Sequence, residues 1–266
     1  MFPPITDLSG ARILVSNDDG IGAPGIKLLE RVARALSRDV WVVAPESEQS
    51  AVAHSLTIRR PLRMRRLSRR RWAVDGTPTD SVLLAINHLL KDKKPDLVLS
   101  GINRGGNLGE DVTYSGTVAA AIEGTLLGVP SIALSQYMSP GNPPRWSTAE
   151  HFAAEVIRRV TAVGWGRGVL INVNFPDVPP PAVTGIAITR QGKRKLGDDL
   201  MERIDPRGET YFWIGAQRAE ERSAPGTDID AVVGGAVAVT PLRVDLTDQQ
   251  TMRQLETVFA ARALME

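Results

Sequence analysis

The chain has 266 residues, no cysteine and three histidines, and its 32 lysine and arginine residues almost balance 30 aspartate and glutamate residues. A formal charge of +2 is too small for a protein built around neutralising a nucleic-acid backbone, and 42% hydrophobic residues excludes a disordered chain. The absence of cysteine excludes disulfides, cysteine-ligated zinc, iron–sulfur clusters and thiol nucleophiles. Any bound metal ion must therefore take oxygen ligands or histidine.

Cellular location is the next property that the sequence addresses. No apolar run approaches the roughly 20 residues that a helix needs to span a bilayer. The first residues, Met1-Phe2-Pro3-Pro4, lack the basic start and the apolar stretch of a signal peptide. We therefore expect a cytoplasmic protein with no membrane partner.

The N-terminal half alternates short apolar runs with amphipathic helical patterns. Residues 12–16 predict a buried strand that ends in a turn at 17–20, followed by a helix at 26–36 and a strand at 40–44. Strand, helix and strand within about 35 residues indicate a right-handed βαβ unit with parallel strands. The alternation continues with a helix at 79–90, a strand at 96–100, a helix at 117–127 and a strand at 131–134. An α/β fold with a doubly wound, mainly parallel sheet is predicted.

An arginine cluster follows the second predicted strand. Residues 57–64 and 72–74 predict a hairpin insertion, at about 57–75, whose polar content places it outside the core. Three roles remain open for it: a solvated face, a surface that draws polyanionic substrate to a nearby site, or an RNA-binding module. The cluster comprises Arg59, Arg60, Arg63, Arg65, Arg66, Arg69, Arg70 and Arg71.

The C-terminal half is less regular. A helix at 148–163 and a strand at 169–173 precede a proline-rich stretch, and the segment 176–230 is polar and weakly periodic, as in a flexible lid or an arm that packs on a partner subunit. Its aromatic run Tyr211-Phe212-Trp213 could stack a base, pack at an interface or belong to the core. A strand at 236–240 and a helix at 248–263 end the pattern.

Polar residues follow each of the first three predicted parallel strands. Asp18 and Asp19 follow the first, the 46–50 loop follows the second, and the 101–107 loop follows the third. Ligands bind at the carboxyl ends of such strands, so the three loops are expected to converge. Adjacent buried carboxylates call for a cation, and the oxygens of Ser50 and Asn103 complete a set that suits Mg²⁺ or Mn²⁺. The alternative is a simple turn with a helix cap.

A second group of residues predicts an anion site. Gly105, Gly106 and Asn107, together with Ser115-Gly116-Thr117 before an alanine-rich helix, bring backbone N–H groups, hydroxyls and a helix N-terminus together. Carboxylates with a metal ion beside a phosphate cradle are typical of a phosphatase, although Ser115 could also be only an N-cap. His54 could act as an acid, contact substrate or be structural.

Several motifs occur together along nearly the whole chain. They are residues 13–21 followed by Ala23-Pro24-Gly25, the 44–50 loop, Gly76-Thr77-Pro78-Thr79-Asp80, residues 100–107, Ser115-Gly116-Thr117, residues 172–176, residues 226–232 and Thr240-Pro241-Leu242. This set resembles the SurE survival protein family of nucleotidases. The 46–49 loop departs from many members, which carry an Asp-Arg-Asn-Arg-like stretch there, so loop contacts to substrate are expected to differ.

The resemblance implies a metal-dependent phosphohydrolase that acts on nucleoside 5′-monophosphates, also on 3′-monophosphates, and in some members on short polyphosphate. It implies one divalent ion per subunit, Mg²⁺ or Mn²⁺, and two sets of site residues. The metal set is Asp18, Asp19, Ser50 and Asn103, and the phosphate-binding set is Asn103, Gly105, Asn107, Ser115, Gly116 and Thr117.

The resemblance also implies an architecture. It indicates a Rossmann-like catalytic core at 1–175, an extended oligomerisation arm at 176–235, and a strand and helix at 236–266 that complete the assembly. This C-terminal extension is expected to exchange between subunits, giving a homodimer or homotetramer. No stable nucleic-acid partner is expected.

The expected mechanism is in-line attack of water on phosphorus, with Asp18 and Asp19 as the catalytic carboxylates. Asp19 is preferred as the group that orients or deprotonates the water, although the sequence leaves the choice open. A haloacid-dehalogenase-like phosphatase is the alternative enzyme, since it also begins with a strand and an Asp-x-Asp-Gly loop. In this chain Asn17 occupies the position of its nucleophile, and an amide cannot form an aspartyl-phosphate.

Overall fold

A computed structural model describes residues 1–193, 200–214 and 224–262 of the chain. The strands are β1 (Arg12–Ser16), β2 (Asp39–Pro45), β3 (Met64–Ser68), β4 (Arg71–Val74), β5 (Leu97–Arg104), β6 (Ser131–Gln136), β7 (Val169–Phe175), β8 (Gly185–Ile188), β9 (Leu200–Ile204), β10 (Thr210–Ile214) and β11 (Ala236–Arg243). The α-helices are α1 (Pro24–Leu36), α2 (Pro78–Leu84), α3 (Gly116–Leu126), α4 (Trp146–Thr161), α5 (Asp228–Val233) and α6 (Gln249–Arg262). A π-helical turn, Ala85–Leu89, continues α2, and 3₁₀ turns lie at Gly109–Thr113 and Pro180–Ala182.

One nine-stranded sheet forms the centre of the fold, in the order β3-β4-β2-β1-β5-β6-β7-β11-β8. The strands from β4 to β7 in this order are parallel, whereas β3 and β11 run antiparallel to β4 and β7. The chain leaves β1 towards β2 on one side and returns to β5 on the other. The carboxyl ends of β1 and β5 therefore flank a topological switch point, where open α/β sheets bind ligands.

Helices cover both faces of the sheet, which explains why the parallel strands read as continuous apolar runs. Ile13 and Val15 of β1 pack in one cluster with α1 and α4, while Leu14 packs in a second cluster with α2 and α3. Alternate residues of the same strand thus enter opposite layers. The doubly wound, mainly parallel α/β architecture predicted from the sequence is confirmed.

The arginine-rich hairpin differs from the prediction in its first strand and in its place in the fold. The predicted strand at 72–74 is confirmed as β4, whereas the first strand is β3 instead of 57–64. β4 pairs in parallel with β2, so the hairpin extends the main sheet. Ala73 and Val74 are fully buried, so the prediction that the insertion lies outside the core is wrong for β4. Only the short apolar end of β4 enters the core, and the charged residues around it concealed this signal in the sequence.

The segment predicted as an arm divides into two parts. β8 pairs with β11, and α5 packs against β11, so both belong to the layers of the same chain. The predicted single extended segment at 176–235 is therefore wrong for these two elements. β9 and β10 pair with each other in a separate hairpin, and their described side chains are exposed. Residues 194–199, 215–223 and 263–266 lie outside the described residues.

The first turn of α1 packs against β5 so closely that position 25 has no room for a side chain. A Cβ at Gly25 would overlap the carbonyl oxygen of Ile102, which is backbone and cannot move aside cheaply. We expect Gly25→Ala to lower the free energy of unfolding by about 3 kcal/mol. Gly22→Ala is the matched control, because no atom lies within 4 Å of a Cβ there. Urea unfolding measures both, and equal midpoints would contradict this packing.

Candidate active site

An open cleft of about 350 Å³ lies over the carboxyl ends of β1 and β5. All four residues of the predicted metal set line it, together with Asn107 and Ser115 of the predicted phosphate-binding set. The complete lining comprises Asp18, Asp19, Glu48, Ser50, Ala51, Asn103, Arg104, Gly106, Asn107, Asp111, Tyr114, Ser115 and Met138. The structure thus brings together residues up to 120 positions apart in the sequence, from Asp18 to Met138.

Asp18 is the point where the end of β1 meets the start of α3. Its side chain is only 6% exposed, and its Oδ1 accepts a hydrogen bond from the hydroxyl group of Thr117. A Cβ at Gly116 would lie 2.7 Å from the Cβ of Asp18 and 3.0 Å from its Oδ2. Glycine at 116 is therefore required for this close approach, which brings the hydroxyl group of Thr117 to the Asp18 carboxylate. Gly116 and Thr117 themselves do not line the cleft.

Burial gives both carboxylates an unusual affinity for protons. The pKa of Asp18 is raised to about 6, mainly by desolvation on burial. The hydrogen bond from Thr117 lowers this pKa, and the negative charge of Asp19 raises it. Burial also raises the pKa of Asp19, although the N–H group of Arg104 donates to its Oδ2 at 3.2 Å; the charge of Glu48 adds to the rise. A cation in the cleft would reverse these shifts.

The neutral oxygens of the cleft are oriented by local hydrogen bonds. The Nδ2 of Asn103 donates to the carbonyl oxygen of Gly105 at 2.9 Å, so the other end of the amide, its oxygen, is the end suited to a cation. The hydroxyl group of Ser50 donates to Glu48 Oε1 at 2.8 Å. The buried Oδ1 of Asn17, just before the two aspartates, has no hydrogen-bond partner within the described structure.

This donor set fits a hard divalent cation. No group of three histidine or acidic side chains suited to a metal ion occurs among the described residues, so a cation here would rest on two carboxylates and neutral oxygens. Mg²⁺ and Mn²⁺ accept such a set, because they keep several water ligands and share substrate phosphate oxygens.

β5 reaches the cleft through an irregularity. Its pairing with β6 shifts register between Ser100 and Asn103, and β5 extends to Arg104 instead of ending at residue 100 as predicted. Beyond it, Gly105 has φ +124°, a conformation that favours glycine. The irregularity carries Asn103 and Arg104 over the end of the sheet, where they line the cleft.

Asn107 is held by a buried polar network that the sequence does not reveal. Its N–H group donates to Asn174 Oδ1 at 2.8 Å, and its carbonyl oxygen accepts from Nδ2 of Asn172 at 2.8 Å and of Asn174 at 3.1 Å. Its own Nδ2 donates to Ser135 Oγ at 2.7 Å. The available signal was a pair of asparagines two positions apart on the apolar strand β7, which places both on one face.

The N-terminus of α3 forms the rest of the predicted cradle. Ser115 caps the helix, because its Oγ accepts a hydrogen bond from the N–H group of Val118 at 3.1 Å. Ser115 therefore serves as an N-cap and lines the cleft at the same time, so the two alternatives from the sequence are compatible. The first N–H groups of a helix and its dipole favour a bound anion.

Sequence reasoning assigned no role to Arg104, Asp111, Tyr114 or Met138, which also line the cleft. Tyr114 provides an aromatic ring that is 45% exposed and lies one residue before the cap of α3. A tyrosine directly before Ser-Gly-Thr was the signal available. His54 lies outside this cleft and contacts Glu123 on α3.

The arginine cluster and the aromatic run also lie outside the cleft. Five of the eight arginines face acidic side chains: Arg60 and Arg63 face Asp75, Arg65 faces Glu46, Arg70 faces Asp39 and Arg71 faces Glu30. Much of the positive charge is therefore balanced locally, and the arrangement does not favour the RNA-binding alternative. Tyr211, Phe212 and Trp213 lie on the exposed strand β10.

Comparisons with known proteins agree with this arrangement over most of the chain. The family model described as Survival protein SurE matches residues 13–198. A 5′-nucleotidase SurE of Paramagnetospirillum magneticum is 72% identical over 97% of this chain and 99% of that protein, and one of Rhodospirillum rubrum is 60% identical over 97% and 100%. The crystal structure of the SurE protein from Aquifex aeolicus is similar with a TM-score of 0.82 and 42% identity, covering 93% of this chain and 99% of that one. The chain belongs to the SurE survival protein family.

Proposed function

We propose that this protein is a 5′-nucleotidase that removes phosphate from nucleoside 5′-monophosphates with the help of one bound Mg²⁺ or Mn²⁺ ion. The observation that carries the proposal is the meeting of two carboxylates of raised pKa, the buried Asp18 and the half-buried Asp19, with the N-terminus of α3 in one cleft. The names of the relatives in P. magneticum and R. rubrum support the reaction. Nucleoside 3′-monophosphates and short polyphosphate are proposed as further substrates.

The proposed metal ligands are Asp18, Asp19, Ser50 and Asn103, whose oxygens fit a hard cation. When bound, the ion would supply positive charge to a phosphate oxygen and to the charge that develops in the transition state. Ser115 and Asn107, which line the cleft, are proposed to bind the remaining phosphate oxygens. The N–H groups of Gly116 and Thr117 would add the favourable field of the α3 N-terminus from behind the lining.

Asp19 is proposed to orient the attacking water and to accept its proton. Asp18 is more deeply buried, and its Oδ1 is already bonded to the Thr117 hydroxyl group. Asp19 is half-buried and also lines the cleft, so a water molecule in the cleft can reach its carboxylate. The leaving nucleoside oxygen takes a proton from solvent, which reaches the open cleft.

The protein is proposed to be a homodimer or homotetramer through its C-terminal elements. The β9–β10 hairpin and α6 expose large apolar side chains, which is typical of surfaces that bind another subunit. They are Leu200, Ile204, Phe212, Trp213 and Ile214 on the hairpin, and Leu255, Val258 and Phe259 on α6. An exchange of these elements between subunits would cover the apolar side chains of the hairpin and of α6.

No helix in the described ranges is long and apolar enough to cross a membrane. The cytoplasmic location stays a prediction.

Removal of the metal ion and neutralisation of either aspartate test the proposed reaction. We expect EDTA to abolish phosphate release from AMP, with recovery on adding excess Mn²⁺. Asp18→Asn and Asp19→Asn should each lower kcat by roughly 10²–10⁴-fold, because each removes a charged ligand and Asp19 also the base. Glu46→Gln is the control, since Glu46 pairs with Arg65 outside the cleft lining. Full activity in EDTA would disprove the metal requirement.

The raised pKa of Asp18 predicts an unusual stability profile for the metal-free protein. The folded state binds the Asp18 proton more tightly than the unfolded chain, since the pKa is about 6 rather than 3.8. The free energy of unfolding therefore falls as pH rises through this range, by up to about 3 kcal/mol.

Asp18→Asn should accordingly stabilise the protein in EDTA at pH 7.5 by about 2 kcal/mol, and the gain should vanish near pH 4. Urea unfolding at the two pH values measures this. The exposed Asp92 provides the control Asp92→Asn, for which no change is expected. A lower stability of Asp18→Asn than of wild type at pH 7.5 would contradict the assignment.

Tyr114 is predicted to contribute to recognition of the nucleoside. Its half-exposed ring lies in the cleft beside the phosphate cradle, and stacking of a base on an aromatic ring contributes about 1–3 kcal/mol. We expect Tyr114→Ala to raise KM for AMP about tenfold and to leave KM for ribose 5-phosphate, which has no base, within about twofold. Tyr114→Phe keeps the ring and should match wild type. Equal losses with both substrates would rule out stacking.

A further inference from the structure

The loop at 46–57 brings Glu48, Ser50 and Ala51 from the end of β2 to the active-site cleft. Two of its residues, Ala51 and Ala53, have φ values of +57° and +52°. This left-handed region is unfavourable for residues with a Cβ, so an alanine stays there only when surrounding contacts hold the backbone. Both strained positions lie between Ser50 and His54.

Backbone contacts hold the two ends of the loop. At its start, the N–H group of Gln49 donates to the carbonyl oxygen of Asp18 at 2.8 Å. At its end, the N–H group of Thr57 donates to Asp80 Oδ1 at 3.0 Å, and the hydroxyl group of Thr77 donates to the carbonyl oxygen of Ser55 at 2.8 Å. These bonds give the Gly-Thr-Pro-Thr-Asp motif at 76–80 a structural role that the sequence did not show.

The middle of the loop is held against α3. The N–H group of Ala53 donates to the carbonyl oxygen of Tyr114 at 3.1 Å. The Nε2 of His54 lies 2.9 Å from Oε2 of Glu123, a side chain that is 6% exposed on α3. A buried carboxylate needs a hydrogen-bond donor, and His54 supplies one when its Nε2 carries a hydrogen.

The His54–Glu123 pair therefore connects two parts of the proposed site. On one side is the loop that carries Ser50, and on the other is the helix whose first turn contains Ser115 and Thr117 and contacts Asp18. His54 itself lines a neighbouring cavity instead of the cleft, so its contact with Glu123 is the observed link to the site.

We propose that His54 and Glu123 are positioning residues that hold the strained loop of Ser50 in the cleft beside Asp18, where Ser50 would serve as a ligand of a divalent ion. The inference rests on the proposed function, because it takes Ser50 as a metal ligand. Without the pair, Ala51 and Ala53 relax towards ordinary backbone conformations and carry Ser50 away from the two aspartates. The effect falls on metal affinity and not on the chemistry of phosphate.

The test measures the Kd for Mn²⁺ of the EDTA-treated protein by electron paramagnetic resonance, in the absence of substrate. We expect His54→Ala to raise this Kd about tenfold, the usual effect of removing a residue that orients a metal ligand. Glu123→Gln keeps an acceptor for the histidine N–H group and should stay within about threefold of wild type, whereas Glu123→Ala should resemble His54→Ala. His88→Ala, at an exposed histidine after α2, is the control.

Ser50→Ala provides the decisive comparison. If the pair acts through Ser50, the double variant His54→Ala/Ser50→Ala should bind Mn²⁺ no more weakly than Ser50→Ala alone, because the two changes are not additive. Additive losses, or an unchanged Kd in His54→Ala, would overturn the proposal. An unchanged Kd in Ser50→Ala would instead show that the proposed metal ligand set is wrong.

A purely structural role is distinguished by stability and kinetics. His54 is partly exposed, so His54→Ala should keep the thermal midpoint of the metal-free protein within a few degrees while KM for Mn²⁺ activation rises and kcat at saturating Mn²⁺ recovers. If the alanine variant does not fold, the same measurements apply to His54→Leu, which fills the space but cannot bond to Glu123. A loss of kcat that saturating Mn²⁺ does not restore would contradict the positioning role.

Discussion

The contact between Asp18 and the N-terminus of α3 is the interaction on which the site depends. It joins the loop at the end of β1 to a helix from the other side of the switch point, and it exists because Gly116 has no side chain and Thr117 offers a hydroxyl group. The same contact removes a carboxylate from water and so raises its pKa. The fold thus accepts an unfavourable charge at the place where a cation and a phosphate group would both be stabilised.

Two other parts of the cleft are held in place by hydrogen bonds from residues far away in the sequence. Asn172 and Asn174 of β7 hold Asn107, and His54 and Glu123 hold the loop of Ser50. Such supports are themselves buried or half-buried polar groups, which are costly unless fully paired. Except for the buried Oδ1 of Asn172, which has no hydrogen-bond partner within the described structure, these groups bond to the loops, and those bonds explain how loops without regular structure keep a defined geometry over the end of the sheet.

The sequence predicted what depends on local pattern and failed where pairing is long-range. Periodicity identified β1, α1 and β2, and the rule for ligands at the carboxyl ends of parallel strands brought Asp18, Asp19, Ser50 and Asn103 to one cleft. The sequence did not show that β4 joins the main sheet, because the pairing partner of a short charged strand depends on residues far away in the chain. The positive φ values of Ala51 and Ala53 were equally hidden, since alanine gives no sign of a left-handed backbone.

The acidic side chains fall into two groups that differ in the direction of their pKa shifts: those in ion pairs of the fold and those of the cleft. For Asp39, burial raises the pKa, but the hydrogen bonds from Arg12 and Trp41 and the arginine charges outweigh it and lower the pKa overall. For Asp75, the N–H group of Arg63 is the main cause of a lowered pKa. The acids of the cleft shift in the opposite direction, because no arginine side chain offsets their burial to the same extent. The net charge near zero is therefore the sum of two different regions. In the β3–β4 hairpin, arginines pair with acidic side chains, and in the cleft, acidic side chains can bind a metal ion.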